Sequence, residues 1–195
     1  MTMLVRIDKD INDIQQAIAN VVSRIDLLHL DYAQAIAIAV QQQILMTTFK
    51  FCTQKCPEAF LALSLSARQK LQEDLRQTIQ LLSNNMQKTL EECDQNSRTN
   101  QENLDLLLST SLNESMDTLN KLLSDRQILV ADDKTQQMSI RLAEIEFTDR
   151  QLMSYRGELR VLSARMLHLE TELEKKYLQK TIAEAELAWR AAWVD

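Results

Sequence analysis

The stretch Arg6–Tyr32, RIDKDINDIQQAIANVVSRIDLLHLDY, carries apolar side chains at Ile7, Ile11, Ile14, Ile18, Val21, Ile25, Leu28 and Tyr32. The gaps alternate between four and three residues without a slip, which is the heptad spacing of a helix that offers one continuous seam to other helices. Isoleucine at both seam positions disfavours a simple parallel dimer and favours three or more packed helices. The stripe therefore reads as one wall of a multi-helix core.

The composition agrees with that reading. A chain of 195 residues that is 45% hydrophobic and 26% charged holds enough apolar material for a real core. It contains one glycine and one proline, the residues that punctuate turns and sheets. So few breakers predict very long helices. A phosphate-binding loop needs several glycines so that backbone amides can approach the ligand, which argues against nucleotide folds of the P-loop or dinucleotide-binding type. The net charge of −6 and a pI near 5.1 come with scattered rather than clustered cations, so a nucleic-acid surface is not expected. The opening MTMLVRIDKDIND meets acidic residues early and does not resemble a secretory signal. The longest unbroken apolar run, AIAIAV at Ala35–Val40, is far short of the ~20 residues that span a bilayer.

Working outward, the first helix is expected from about 7 to 55, with AQAIAIAVQQQIL after Tyr32 as its most buried part. Pro57 should break it, because proline lacks an amide donor and disfavours helical geometry at Cys56. Ser66 with Gln69 reads as a capping box that opens a second helix over 66–93, with Leu71, Leu75, Ile79, Leu82, Met86 and Leu90 facing inward. DQNSRTNQEN, at Asp94–Asn103, has no apolar residue and is a loop, a hinge or a polar turn within one helix. A third apolar stripe follows over 104–130, and Asp132 or Asp133 could cap a last helix over 134–193. In that helix Ile145, Leu152, Leu159, Met166 and Leu173 recur every seven residues, with Thr148, Tyr155, Leu162 and Leu169 between them. Gly157 lies within the run but off the seam. The expected fold is all-α: a single elongated domain, an antiparallel coiled-coil bundle of three long helices, with four helices and a loop near 94–103 as the alternative.

No catalytic signature emerges. His29 and His168 are preceded at three residues by Asp26 and Arg165, so the Glu-x-x-His pattern of di-iron bundles is missing. No sheet is predicted to carry a nucleophile elbow. Cys52, Cys56 and Cys93 are odd in number, which suits a reducing compartment, and they read as packing thiols; with His29 they would make a metal set only at unusual spacing. Neither catalysis nor a cofactor is expected. The segment AEAELAWRAAWVD is the most suggestive local feature: Trp189 and Trp193 stand one turn apart, with Leu187 and Ile182 nearby. Such a pair covers the end of a bundle, docks a partner or sits at a membrane interface.

CTQKCPEAFLALS at 52–64 followed by RQKLQEDLRQ at 68–77 resembles segments of uncharacterised helical proteins of cyanobacteria. The resemblance implies a bacterial, cytoplasmic setting and brings no functional residue with it. The expected function is a non-enzymatic helical scaffold or adaptor that works through protein contacts, including contacts with its own copies. The alternative is a peripheral or membrane-inserting protein that uses Ala33–Leu45.

Overall fold

The structure is a computed structural model and describes residues 3–129 and 137–193; the side chains of 95 and 96 are outside that description. Every regular element among these residues is helical. They are α1 (Met3–Lys50), a π-helical turn (Phe51–Lys55), α2 (Pro57–Ala62), α3 (Leu65–Glu91), α4 (Gln95–Thr99), α5 (Gln101–Asp125), α6 (Leu142–Thr148) and α7 (Arg150–Ala192). Where one domain is expected, the contacts gather in two compact units. One is an arm made of residues up to Leu28 and from Glu158 onward, and the other is a body running from His29 to Gly157.

In the arm, α1 and α7 pair antiparallel. Asp8 with Lys180 (2.8 Å), Asp10 with Lys176 (2.7 Å) and Arg24 with Glu158 (2.7 Å) rise along one helix as they fall along the other. Ile7 and Ile11 bury against Ala183, with Leu4 and Leu173 packed alongside. Lys176 holds the exposed Asp10 carboxyl below its ordinary value of 3.8. A carboxyl lowered in this way adds stability above its unfolded value, and that stability is lost as pH falls through the lowered one. A carbon-13 titration of the Asp10 carboxyl should therefore have its midpoint below 3.8, rising toward that value in Lys176→Gln.

In the body, the C-terminal half of α1 buries Tyr32, Ile36, Val40 and Ile44. Ser83 Oγ on α3 donates to the Ala37 carbonyl of α1 at 2.7 Å. On α3, Ser83 is buried where the stripe pointed to Leu82, which is only half-buried. α3 packs on α5, which buries Leu104, Leu108, Leu112, Met116, Leu119 and Leu123, and α5 meets α6.

The corners are built by polar side chains. Before Pro57 the ladder widens, and the Cys56 amide bonds the Phe51 carbonyl at 3.0 Å, five residues back. The second long helix is capped by Ser64, whose hydroxyl accepts from the Ala67 amide at 3.2 Å, and not by Ser66. Two arginines tie the chain reversals. Arg68 donates to the Phe60 and Leu61 carbonyls at the end of α2. Arg98 does the same for Glu91 (2.7 Å) and Cys93 (3.1 Å) after α3, satisfying carbonyls that a helix end leaves open. The polar stretch 94–103 is thus a corner around the short α4, and α5 begins under an Asn100 cap that accepts from the Glu102 amide at 2.9 Å.

Two expectations need correction. The third stripe was expected to stay helical to 130, but α5 ends at Asp125, where Gln127 turns the chain with φ 60°. The Ile128 amide then bonds back to the Leu123 carbonyl at 2.9 Å, the six-to-one closure that usually carries glycine. Gln127→Gly should stabilise the protein by roughly 1 kcal/mol by removing the left-handed side-chain penalty, as read by urea denaturation.

The expected start of the last helix at 134 lies outside the described residues, and within them the helix is not continuous. Residues 137–141 are not helical, and Asp149 sits in extended geometry between α6 and α7. Its carboxylate accepts from the Gln151 and Leu152 amides at 2.8 and 3.1 Å. An N-cap therefore interrupts the expected coil. The proposed caps Asp132 and Asp133 lie outside the described residues. Buried Asn120 on α5 holds the extended segment by exchanging two 2.9 Å bonds with the Met138 backbone, one to the amide and one to the carbonyl. Asn120→Ala should cost about 2–4 kcal/mol, because two buried backbone groups lose their partners. Faster hydrogen exchange at the Met138 amide would report it.

Candidate functional site

α7 carries a second apolar row besides its seam. Leu178, Ile182, Ala185, Trp189 and Trp193 fall within an arc of about 80°, at about 100° per residue. The seam residues Leu159, Leu162, Met166, Leu169 and Leu173 lie on the other side of the helix. Leu159 is buried and the rest are half-buried against α1. The second row is open: Leu178, Trp189 and Trp193 are 62, 67 and 69% exposed. The two indole rings lie 5.4 Å apart, tilted by 45°. The tryptophans therefore do not cover the end of a bundle.

Of the four residues singled out from the sequence, Ile182, Trp189 and Trp193 share this face. Leu187 does not, since five positions from Ile182 rotates it by about 140°, away from the row. Ile182, Ala185 and Trp189 line a shallow depression with Glu186 and Arg190. Glu174 and Lys175 precede the row. The flanks thus carry two acids and two bases, and the face is locally neutral on a chain of net charge −6.

The thiols and histidines give a different picture. His29 is buried and its Nε2 donates to the Leu90 carbonyl at 2.7 Å; Cys93 Sγ lies 3.4 Å from the same nitrogen. Two residues 64 apart in sequence are thereby neighbours. Cys52 and Cys56 do not join them, and among the described residues no three His, Cys, Asp or Glu side chains group as a metal site. Burial pushes the Cys52 thiol up to about 11, with neighbouring Cys56 adding to the rise. Burial also raises Cys56, and it raises Cys93 against the opposing pull of Arg98. Raised thiols stay protonated at neutral pH and are weak nucleophiles and ligands.

A buried ionic cluster was missed in the sequence. Arg156 of α7 is 3% exposed. It pairs with Asp105 of α5 and, through Nε at 3.2 Å, with Glu146 of α6. Its guanidinium stands 5.7 Å from the ring centroid of Tyr32, and the Tyr32 hydroxyl donates to Glu146 Oε1 at 2.8 Å. The heptad count gave this layer to Tyr155, which is only half-buried. Leu152 and Leu159 keep the expected seam, and Arg156, one turn beyond Leu152, is buried beside them. The arrangement ties α5, α6 and α7 to α1.

No protein-family model matches the chain, and no curated protein or solved structure matches it. Among the described residues, no helix is long and apolar enough to cross a membrane.

Proposed function

We propose that the chain is a non-enzymatic helical scaffold that associates with its own copies through the arm, with the face Leu178–Trp193 of α7 as the contact. The observation that carries this reading is an apolar row, tryptophan-rich and well exposed, on the side of α7 turned away from α1. Tryptophan is enriched among the residues that dominate binding energy. A contiguous exposed apolar face marks an interaction surface more often than scattered leucines do. The partner argued for is a second copy. Antiparallel pairing of two such rows sets Leu178 of one against Trp193 of the other and Ile182 against Trp189, so apolar side chains meet along the whole length of the row.

The half-buried state of Ile14 and Ile18 supports the same reading. An isoleucine-rich seam prefers three or more helices, and the arm supplies two. For the body, the packing of α3 on α5, the contact of α5 with α6 and the Ser83 bond from α3 to α1 support a four-helix reading over three. The bacterial, cytoplasmic setting belongs to the proposal too, resting on the resemblance at 52–77.

Light scattering coupled to size exclusion tests the reading. A mass of at least two chains at micromolar concentration is expected. A monomer at every concentration up to about 100 μM, weaker than any stable dimer, would overturn it.

A further inference from the structure

Where α1 gives way to the π turn, the body holds a cleft of about 270 Å³ between α1, the π turn, α2 and α3. Its wall is apolar, with Leu45, Phe49, Phe60, Leu71, Leu75 and Ile79 contributing. Phe49 is 60% exposed at the surface, so the cleft has a mouth. π turns inside helices often mark functional sites, but the geometry alone does not name a ligand. Thr48 does. It lines the cleft and is 4% exposed, and its hydroxyl has no hydrogen-bond partner among the described residues. A helical threonine ordinarily donates to the carbonyl one turn back. An unpaired buried hydroxyl is costly to keep. The neighbouring Thr53, by contrast, does make that bond, to the Phe49 carbonyl at 2.7 Å.

Two more observations narrow the ligand. Arg76 is the one charged residue of the wall, and no acid lines it. The volume also limits the occupant. A dry cavity of about 150 Å³ accommodates benzene, so 270 Å³ takes a short alkyl chain or a small ring system. A helical turn about 10 Å across with its side chains does not fit, which rules out a second copy.

We infer that the cleft binds a small monocarboxylate with an apolar body, of the medium-chain fatty acid or aryl acid type. The body lies among Phe49, Phe60 and Ile79, the carboxylate accepts from the Thr48 hydroxyl, and Arg76 supplies the opposing charge. This site is in the body and does not depend on assembly through the arm.

The test is calorimetric titration of the full chain with decanoate and with 1-decanol, run alongside alkylation of Cys52, which lines the same cleft. Decanoate should bind one to one with a Kd on the order of 0.1 mM and should slow Cys52 modification while leaving Cys93 unchanged. Thr48→Val keeps the shape and removes the hydroxyl, so it should weaken decanoate about tenfold without lowering the unfolding temperature. Arg76→Gln should weaken decanoate at least about fivefold and leave decanol unaffected. Absence of saturable binding at about 2 mM, far above the expected Kd, would overturn the inference. So would binding that neither substitution changes, or binding that leaves Cys52 unprotected.

Discussion

Replacing Arg156 with alanine is expected to cost the body about 3–5 kcal/mol, the usual range for removing one partner from a buried ion pair. The size follows from what remains. Glu146 is left with a side chain 15% exposed and without its cation, with the Tyr32 hydroxyl still donating to it. Asp105, with a side chain 48% exposed, regains water and loses less. Glu146→Leu combined with Arg156→Met should recover most of the loss, because an apolar pair of similar volume often matches a buried ion pair in stability. Urea denaturation followed by circular dichroism measures both. A loss under about 1 kcal/mol in Arg156→Ala would mean that the pairing adds nothing beyond a surface salt bridge.

The second large effect concerns assembly. Ile182→Asp with Trp189→Asp should weaken the proposed self-association at least about 100-fold, since two apolar anchors are lost and two like charges face each other across the contact. Both side chains are exposed, at 50 and 67%, so helicity should not change. Leu187→Asp is the matched control. It is equally exposed, at 50%, but rotated off the row, and it should alter the association constant by less than about threefold. Sedimentation velocity over a dilution series reads all three. If Leu187→Asp dissociates the assembly as well as the double variant does, the contact lies on the other side of α7.

The all-α class was legible because it depends on local signals: heptad spacing in Arg6–Tyr32, near-absence of breakers, and Pro57 as the one proline. The exposed tryptophan row was partly legible. Spacing placed Trp189 and Trp193 together, but nearness in sequence wrongly grouped Leu187 with them. What escaped was set by side chains whose partners are distant or unmarked. Asp149 resembles any surface aspartate until its carboxylate is seen over two free amides. Gln127 ends α5 in a conformation that usually announces itself with glycine. Arg156 reads as a solvated charge until Tyr32, Asp105 and Glu146, each from another element, are seen around it. The cleft at Thr48 depends on the chain folding back at Pro57, which sequence spacing does not convey.

The antiparallel pairing of α1 with α7 also has a consequence in time. Asp10 and Lys176 are separated by 166 positions, so the arm closes a very long loop and forms only after that stretch has been made. On a ribosome adding about 5–20 residues per second, the stripe from Ile7 to Leu28 waits on the order of ten seconds for its own α7. The arm is therefore a late-closing part of the molecule, formed after the contacts of the body between His29 and Gly157 have come within reach of one another.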